Sequence, residues 1–443
     1  MQAIIERILS WGLETRERNG RHPRGFLRTT SHLWGPGLAL FGSQVGRELT
    51  NGAIAAYLTF KPTIGPSKNP KRDRLIGYFN SLDAKKKQAY ARKLTYEYAL
   101  RALRKYRSFV TNADKGRFSD LTAVSLSLGG SCNLHCTACV MASFQSERCA
   151  DLEDVDYILK QVEDAGAAYV SVIGAGEPFL EPAYGAALLR CMKRHRALDF
   201  FAYTNGTTMT EELARAAGEL DNLLMLVSVE GLAESHDQSR GTGTFARAMN
   251  AFRLLRDYGV PCGFSAVVNA DNYREVTSLP FIEAMAEAGA LIGAYNQSCA
   301  LSRSDTRNFT RESPERDEYL DRLKALGARS PIYVVDLFSF EEKRYGCRAK
   351  KGTSCFIDAN SGKVAPCFLF PFASHDSNVY DRRHDSRLGE ILSSEFFNRY
   401  RKGPGERHLC VRDVKGELHQ FLENPALAAR DRETIRSMLE VVE

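Results

Sequence analysis

The feature that most constrains this chain is an alternation that begins near residue 121. Short apolar runs recur at 121–128, 167–174, 199–206, 222–231, 262–269 and 290–297. Amphipathic segments separate them at 155–165, 184–195, 210–219 and 244–258. Apolar runs of strand length, spaced by segments of helical period, predict repeated βα units on a parallel sheet. Six such runs over 119–300 predict an α/β fold with a parallel sheet or barrel. Several runs end in Gly, Asn or a carboxylate. The carboxyl ends of such strands are where α/β folds build their sites.

The flanking regions read differently. Residues 1–118 predict a helical, basic N-terminal region. Ile4, Ile5, Ile8, Leu9 and Leu13 recur at helical spacing, an apolar Gly-rich stretch follows at 33–60, residues 61–71 read as a loop, and 84–110 reads as a helix. Between Lys61 and Arg107 stand fourteen Lys and Arg against three acids, a local charge of +11 within a net +6. The block suits a solvated helical face packed on the barrel, or a surface that meets an anionic membrane. Residues 301–345 predict a connecting helix, with Ser313 and Pro314 as its start, and a short strand at 332–337. Residues 346–443 predict a small cysteine-rich α+β extension: a hairpin between Cys355 and Cys367, turned at 360–362, then a terminal helix over 413–443. No apolar run is long enough to span a bilayer, and Met1 opens no secretory signal. Eleven cysteines in 443 residues is an odd count in a long chain. That suits a reducing cytoplasm better than a disulfide framework.

Chemistry gathers in one loop. Cys132, Cys136 and Cys139 stand C-x3-C-x2-C directly after the first apolar run. Three thiolates on one loop make a soft-metal site. A structural zinc wants four ligands, and the fourth here would be His135, Cys149 or something distant. A 4Fe-4S cluster on three thiolates leaves one iron open, which favours catalysis. Cys149 is read as a non-ligand. Cys191, Cys262 and Cys299 are read as core thiols, the last with an alternative place on the cavity wall.

With the strand ends that follow, this loop resembles the radical S-adenosylmethionine (SAM) superfamily. The resemblance implies a partial (β/α)6 parallel barrel over 119–300, an open iron that chelates SAM, and reductive cleavage that yields a 5′-deoxyadenosyl radical for hydrogen abstraction. Gly174, Gly176 and Glu177 resemble the turn that holds the SAM amino group. Asn205 lies in a Thr-Asn-Gly loop like the family's. Ser228, Glu230 and Arg240 resemble the fourth-strand pattern, whose Ser and Arg meet the SAM carboxylate, with Glu230 where the family has Asp. Asn269 would face the ribose or adenine. Ala138 stands where many members carry an aromatic residue behind the adenine.

A second similarity lies downstream. Cys347 and the run Gly362 to Cys367 resemble the opening of a SPASM or "twitch" extension. That implies one auxiliary 4Fe-4S cluster on Cys347, Cys355, Cys367 and Cys410, with zinc on the same thiols as the alternative. An electron donor such as ferredoxin or flavodoxin is implied. No catalytic side chain is singled out. For the substrate, the basic, apolar N-terminus points to an apolar or lipid-like molecule and a cytoplasmic enzyme peripheral on the inner membrane face. The resemblance points instead to a peptide or small-molecule natural product. Nucleic acid is disfavoured because no binding motif accompanies the charge, and a zinc-binding scaffold without activity is the remaining class.

Overall fold

The computed structural model describes residues 70–83, 86, 121–139, 141, 145–298, 307, 309, 313–338, 347–369, 373–374, 376–381 and 387–402. The expected helices over 4–13 and 413–443, the Gly-rich stretch, Cys299 and Cys410 lie outside them. By packing, the chain divides into Met1–Gly65 with Asn80–Arg107, and Pro66–Phe79 with Ser108–Glu443. The second unit contains the sheet and the thiol loop.

The six predicted strands form, with helices after the first five, of which α5, α7 and α8 go beyond the predicted segments: β1 (Ala123–Ser127), α2 (Leu152–Asp164), β2 (Tyr169–Ile173), α3 (Pro182–Arg194), β3 (Asp199–Thr204), α4 (Glu211–Gly218), β4 (Leu223–Ser228), α5 (Ala233–Arg240), α6 (Thr244–Asp257), β5 (Cys262–Val268), α7 (Tyr273–Val276), α8 (Leu279–Ala288) and β6 (Ile292–Gln297). Local chemistry sets their ends. Thr210 Oγ1 accepts from Leu213 N at 3.2 Å to start α4, and Ser278 Oγ accepts from Phe281 N at 3.3 Å to start α8. Pro182 occupies the first position of α3, where its missing N–H costs nothing.

Alternate strand residues enter one continuous apolar layer with the helices. Val124, Val170, Phe200, Met225 and Phe264 meet Ile158, Leu188, Leu213, Phe252 and Phe281 there. Their neighbours along each strand face the other side of the sheet, as the period of two requires. All pairings from β1 through β6 are parallel and in chain order.

The sheet is larger than six strands. After α9 (Pro314–Arg329), β7 (Tyr333–Asp336) joins β6 in parallel. At the other side, β8 (Ser354–Asp358) joins β1 in parallel, with Ala123 opposite Ser354, and turns into β9 (Val364–Ala365). The order is β7-β6-β5-β4-β3-β2-β1-β8-β9. The cysteine-bearing hairpin is therefore continuous with the main sheet. Two helices, α10 (Arg387–Leu392) and α11 (Glu395–Lys402), follow.

A helix also forms at Pro70–Ser81, here α1, overlapping the end of the expected loop. Lys71 Nζ donates to the Gly327 carbonyl, Arg74 Nε to Ala290 O at 3.1 Å, and the Tyr78 hydroxyl to Gly259 O at 3.2 Å. Gly259 and Ala290 follow helix ends, where unpaired carbonyls attract donors and cations.

Candidate active site

The chain leaves β1 through Gly129 and Gly130, at φ 66° and 89°. Glycine adopts these angles without strain. The loop then carries Cys132, Cys136 and Cys139, all free and half-buried.

This loop is held from four sides. Gly176 N donates to Gly129 O at 3.3 Å and Glu177 N to Ser131 O at 3.0 Å, so the β2 turn is zipped against it. A side chain at Gly176 would collide with the Gly130 and Ser131 carbonyls, and one at Gly174 with the Gly176 carbonyl. Both glycines are thus required by the turn itself. From the β3 end, Asn205 Nδ2 donates to Asn133 Oδ1 at 2.9 Å, and Asn133 Nδ2 to Thr207 Oγ1 at 2.8 Å. Asn205 Nδ2 also lies 3.9 Å from Cys132 Sγ. From α5, Ser239 O accepts from Thr137 N at 3.1 Å, and the two hydroxyls meet at 3.1 Å. The fourth hold is Ser146, whose Oγ accepts from Gly130 N at 2.8 Å and from Asn360 Nδ2 at 2.6 Å. Asn360 also donates to Arg148 O at 2.8 Å. The turn between β8 and β9 therefore braces the root of the thiol loop.

Glu177 is buried and its carboxylate is fully engaged. It accepts from Thr204 Oγ1 at 2.7 Å, Asn205 N at 2.6 Å and Phe179 N at 3.2 Å. Burial pushes its carboxyl up, against those donors, which hold it down. Its side chain fixes the β3 loop that carries Asn205.

Glu230 and Arg240 form a buried ion pair, with Nε to Oε1 at 3.1 Å. Glu230 Oε2 also accepts from Val267 N at 2.7 Å. Burial works against the Arg240 charge, but Glu230 and the thiols of Cys136 and Cys139 more than reverse it, so the guanidinium stays cationic. Burial raises the Cys136 thiol while Arg240 pulls it down. Burial likewise raises Cys132. His236 Nδ1 accepts from Glu230 N at 3.2 Å; burial and Arg240 hold that imidazole down to about 4, so it is neutral.

Asn269 Oδ1 accepts from Asp271 N at 2.8 Å and Asn272 N at 3.1 Å, closing the turn into α7. Ser228 ends β4 beside Ser265. Ala138 is buried. Cys149 pairs across from Gly129, and its Sγ packs on Gly130. At the hairpin, Cys347 and Cys367 are half-buried and pack against the main core, while Cys355 lies within it. Burial pushes the Cys355 thiol up to about 12, so ligation there would have to be driven by a metal's own charge. Sequence reasoning misses Asn133, Thr137, Ser146, Ser239 and Asn360. They are polar loop residues with no motif; only the Asn360 turn carries a signal.

A parallel sheet with helices on one face, three free thiols on its first carboxyl-end loop and a buried Arg–Glu pair beside them make an α/β scaffold whose first loop offers soft-metal ligands. Residues 126–279 match the radical SAM superfamily. The superfamily's cofactors are a 4Fe-4S cluster and SAM. Among curated relatives, the sporulation killing factor maturation protein SkfB of Bacillus subtilis is 26% identical over 183 residues, 41% of this chain and 43% of that protein. The mycofactocin maturase MftC of Mycobacterium tuberculosis is 30% identical over 136 residues, 29% of this chain and 32% of that protein. The chain thus matches less than half the length of either. Streptococcus suis SuiB bound to its precursor peptide SuiA superposes with a TM-score of 0.55 at 16% identity, over 72% of this chain and 75% of that one. The protein anSMEcpe with bound AdoMet superposes at 0.51 and 17% identity, over 72% and 96%. At these identities the likeness is one of fold.

Proposed function

We propose that the chain is a radical SAM enzyme that modifies a ribosomally made peptide. The observation that carries the reading is the loop of three free thiols, without a fourth beside them in sequence, held between the β2 turn, the β3 loop and α5. The donor set fits a 4Fe-4S cluster on Cys132, Cys136 and Cys139. Such a cluster, with SAM, supplies one-electron chemistry and through it hydrogen abstraction from an unactivated C–H. The chain's own residues do the rest. Glu177 and Asn205 fix the loop's position. Arg240, kept cationic by Glu230, offers a charge for the SAM carboxylate beside Cys136. Gly174 and Gly176 bring the β2 backbone against the loop, and Ser228 and Asn269 stand at the two strand ends beyond it. Cys347, Cys355, Cys367 and Cys410 are proposed to hold the auxiliary cluster, and a ferredoxin or flavodoxin to supply electrons.

The peptide is favoured over a lipid-like substrate because the named relatives include maturation proteins and a precursor-peptide complex. In addition, Lys71 and Arg74 of the basic block are turned onto the barrel rather than outward. No helix among the described residues is long and apolar enough to cross a membrane.

Anaerobic reconstitution tests the reading. About eight irons per chain are expected, with reductive SAM cleavage. Cys136→Ala is expected to abolish cleavage and Cys149→Ala to leave it. Zinc without cleavage would overturn the radical reading. Adding candidate precursor peptides from neighbouring reading frames should change a peptide's mass and move deuterium from it into 5′-deoxyadenosine. Deuterium transfer from lipid fractions alone would overturn the peptide assignment.

A further inference from the structure

A second group of ligand-bearing side chains lies in the helical layer, away from the thiol loop in sequence and unused by the proposed reaction. Asp156 on α2, Cys191 on α3 and His195 just beyond α3 place one ligand atom each within 4.8 Å of the others. Cys191 Sγ lies 3.5 Å from Asp156 Oδ1, and His195 Nε2 lies 3.1 Å from the same oxygen. A tetrahedral ion with bonds of about 2.0–2.3 Å spaces its ligands by about 3.3–3.7 Å. The observed separations need only small adjustments to reach that.

The imidazole is already oriented for the role. Its other nitrogen, Nδ1, lies 3.3 Å from Glu163 Oε2. A carboxylate on the far nitrogen is the usual partner of a ligating histidine, because it fixes the tautomer and aims the free lone pair. Cys191 and His195 are buried, whereas the Asp156 side chain is 42% exposed, so the group opens to solvent on one side.

Arg194 is the competitor. Its Nη2 lies 2.6 Å and its Nε 3.2 Å from Asp156 Oδ1. The Arg194 side chain is 59% exposed, so it can swing into water at little cost.

We infer that Asp156, Cys191 and His195 form a zinc site that clamps α2 to α3, with Glu163 orienting the histidine and the fourth position left to water. One thiolate, one imidazole and one carboxylate suit zinc better than the hard ions calcium and magnesium.

The test compares full-length chains loaded with zinc, freed of loose metal by desalting, and counted for zinc by mass spectrometry. Cys191→Ser and His195→Gln should each hold about one zinc fewer per chain than wild type, and Cys149→Ser should hold the same number. Zinc should raise the melting temperature of wild type and of the Cys132→Ala/Cys136→Ala/Cys139→Ala chain, but not of His195→Gln. Circular dichroism identifies any variant that has lost its fold, and the pair of substitutions guards against one doing so. Equal zinc counts in wild type and both trio variants, or no zinc at all, would reduce the trio to an ion-pair clip and overturn the inference. Either result is independent of SAM cleavage.

Discussion

The thiols of the two cysteine regions of this protein sit in different surroundings. Cys132, Cys136 and Cys139 ride on a loop fixed by directional polar contacts, from Ser131, Asn133, Thr137 and Ser146 to four different elements. The hairpin thiols rest mainly on hydrocarbon, with Cys355 inside the core and Cys347 and Cys367 against it, although Cys367 Sγ also accepts from Leu369 N at 3.4 Å. Hydrogen bonds fix orientation as well as distance, whereas packing fixes volume. A loop of the first kind can present open coordination positions in a set direction. A region of the second kind suits a group that must be enclosed. The turn at Asn360 joins the two.

The comparison can be broken most severely at its polar centre. Arg240→Met strands the buried Glu230 carboxylate, and unfolding by urea should show a loss of about 3–5 kcal/mol. An unchanged midpoint would mean the pair is not what organises α5 and β4. The next effect is on pH. His236 is held down to about 4, by burial first and Arg240 second, while the unfolded residue protonates near 6.5. Between those values the unfolded chain takes a proton that the folded chain refuses. The stability due to this group is therefore full above about pH 6.5 and falls as pH drops toward 4. Asp237 opposes the shift and Arg240 reinforces it. Urea midpoints across that range should fall more steeply for wild type than for His236→Gln. The smallest effect is at the join: Asn360→Ala should cost about 1 kcal/mol by thermal or urea unfolding. If it costs nothing, the two regions are held independently.

Much of this is legible in the sequence, for a physical reason. Strand and helix periods are local, so all six strands and the helices α2, α3, α4 and α6 can be read, with ends within a few residues of those observed, whereas the short helices α5 and α7 and the helix α8 are not read. The thiol spacing and the residues Glu177, Asn205 and Glu230, which follow strand ends, are also readable, because α/β folds put such residues at one edge; Arg240, the last residue of α5, is singled out only through the family resemblance. Partnership is not legible. Nothing in Ser354–Asp358 says that it will lie beside Ala123–Ser127, since that choice depends on which edge is free. Nor does Glu177 reveal that its carboxylate serves Thr204 and Asn205. The helix Pro70–Ser81 escapes a sequence reading because the Pro/Lys stretch before it reads as loop. Cys191 reads as a core thiol; it is buried, but it also bonds to Asp156.

The pairing of β8 with β1 also bears on how the molecule is made. During synthesis the β1 side of the sheet emerges early and has no neighbour there until more than two hundred further residues have followed. Contacts so distant in sequence form slowly, and an unpaired parallel edge invites wrong partners. The same delay applies to Asn360, which braces Gly130 through Ser146. A nascent chain therefore offers its thiol loop before that brace exists. A chain truncated before residue 354 would carry Cys132, Cys136 and Cys139 on an unfinished edge.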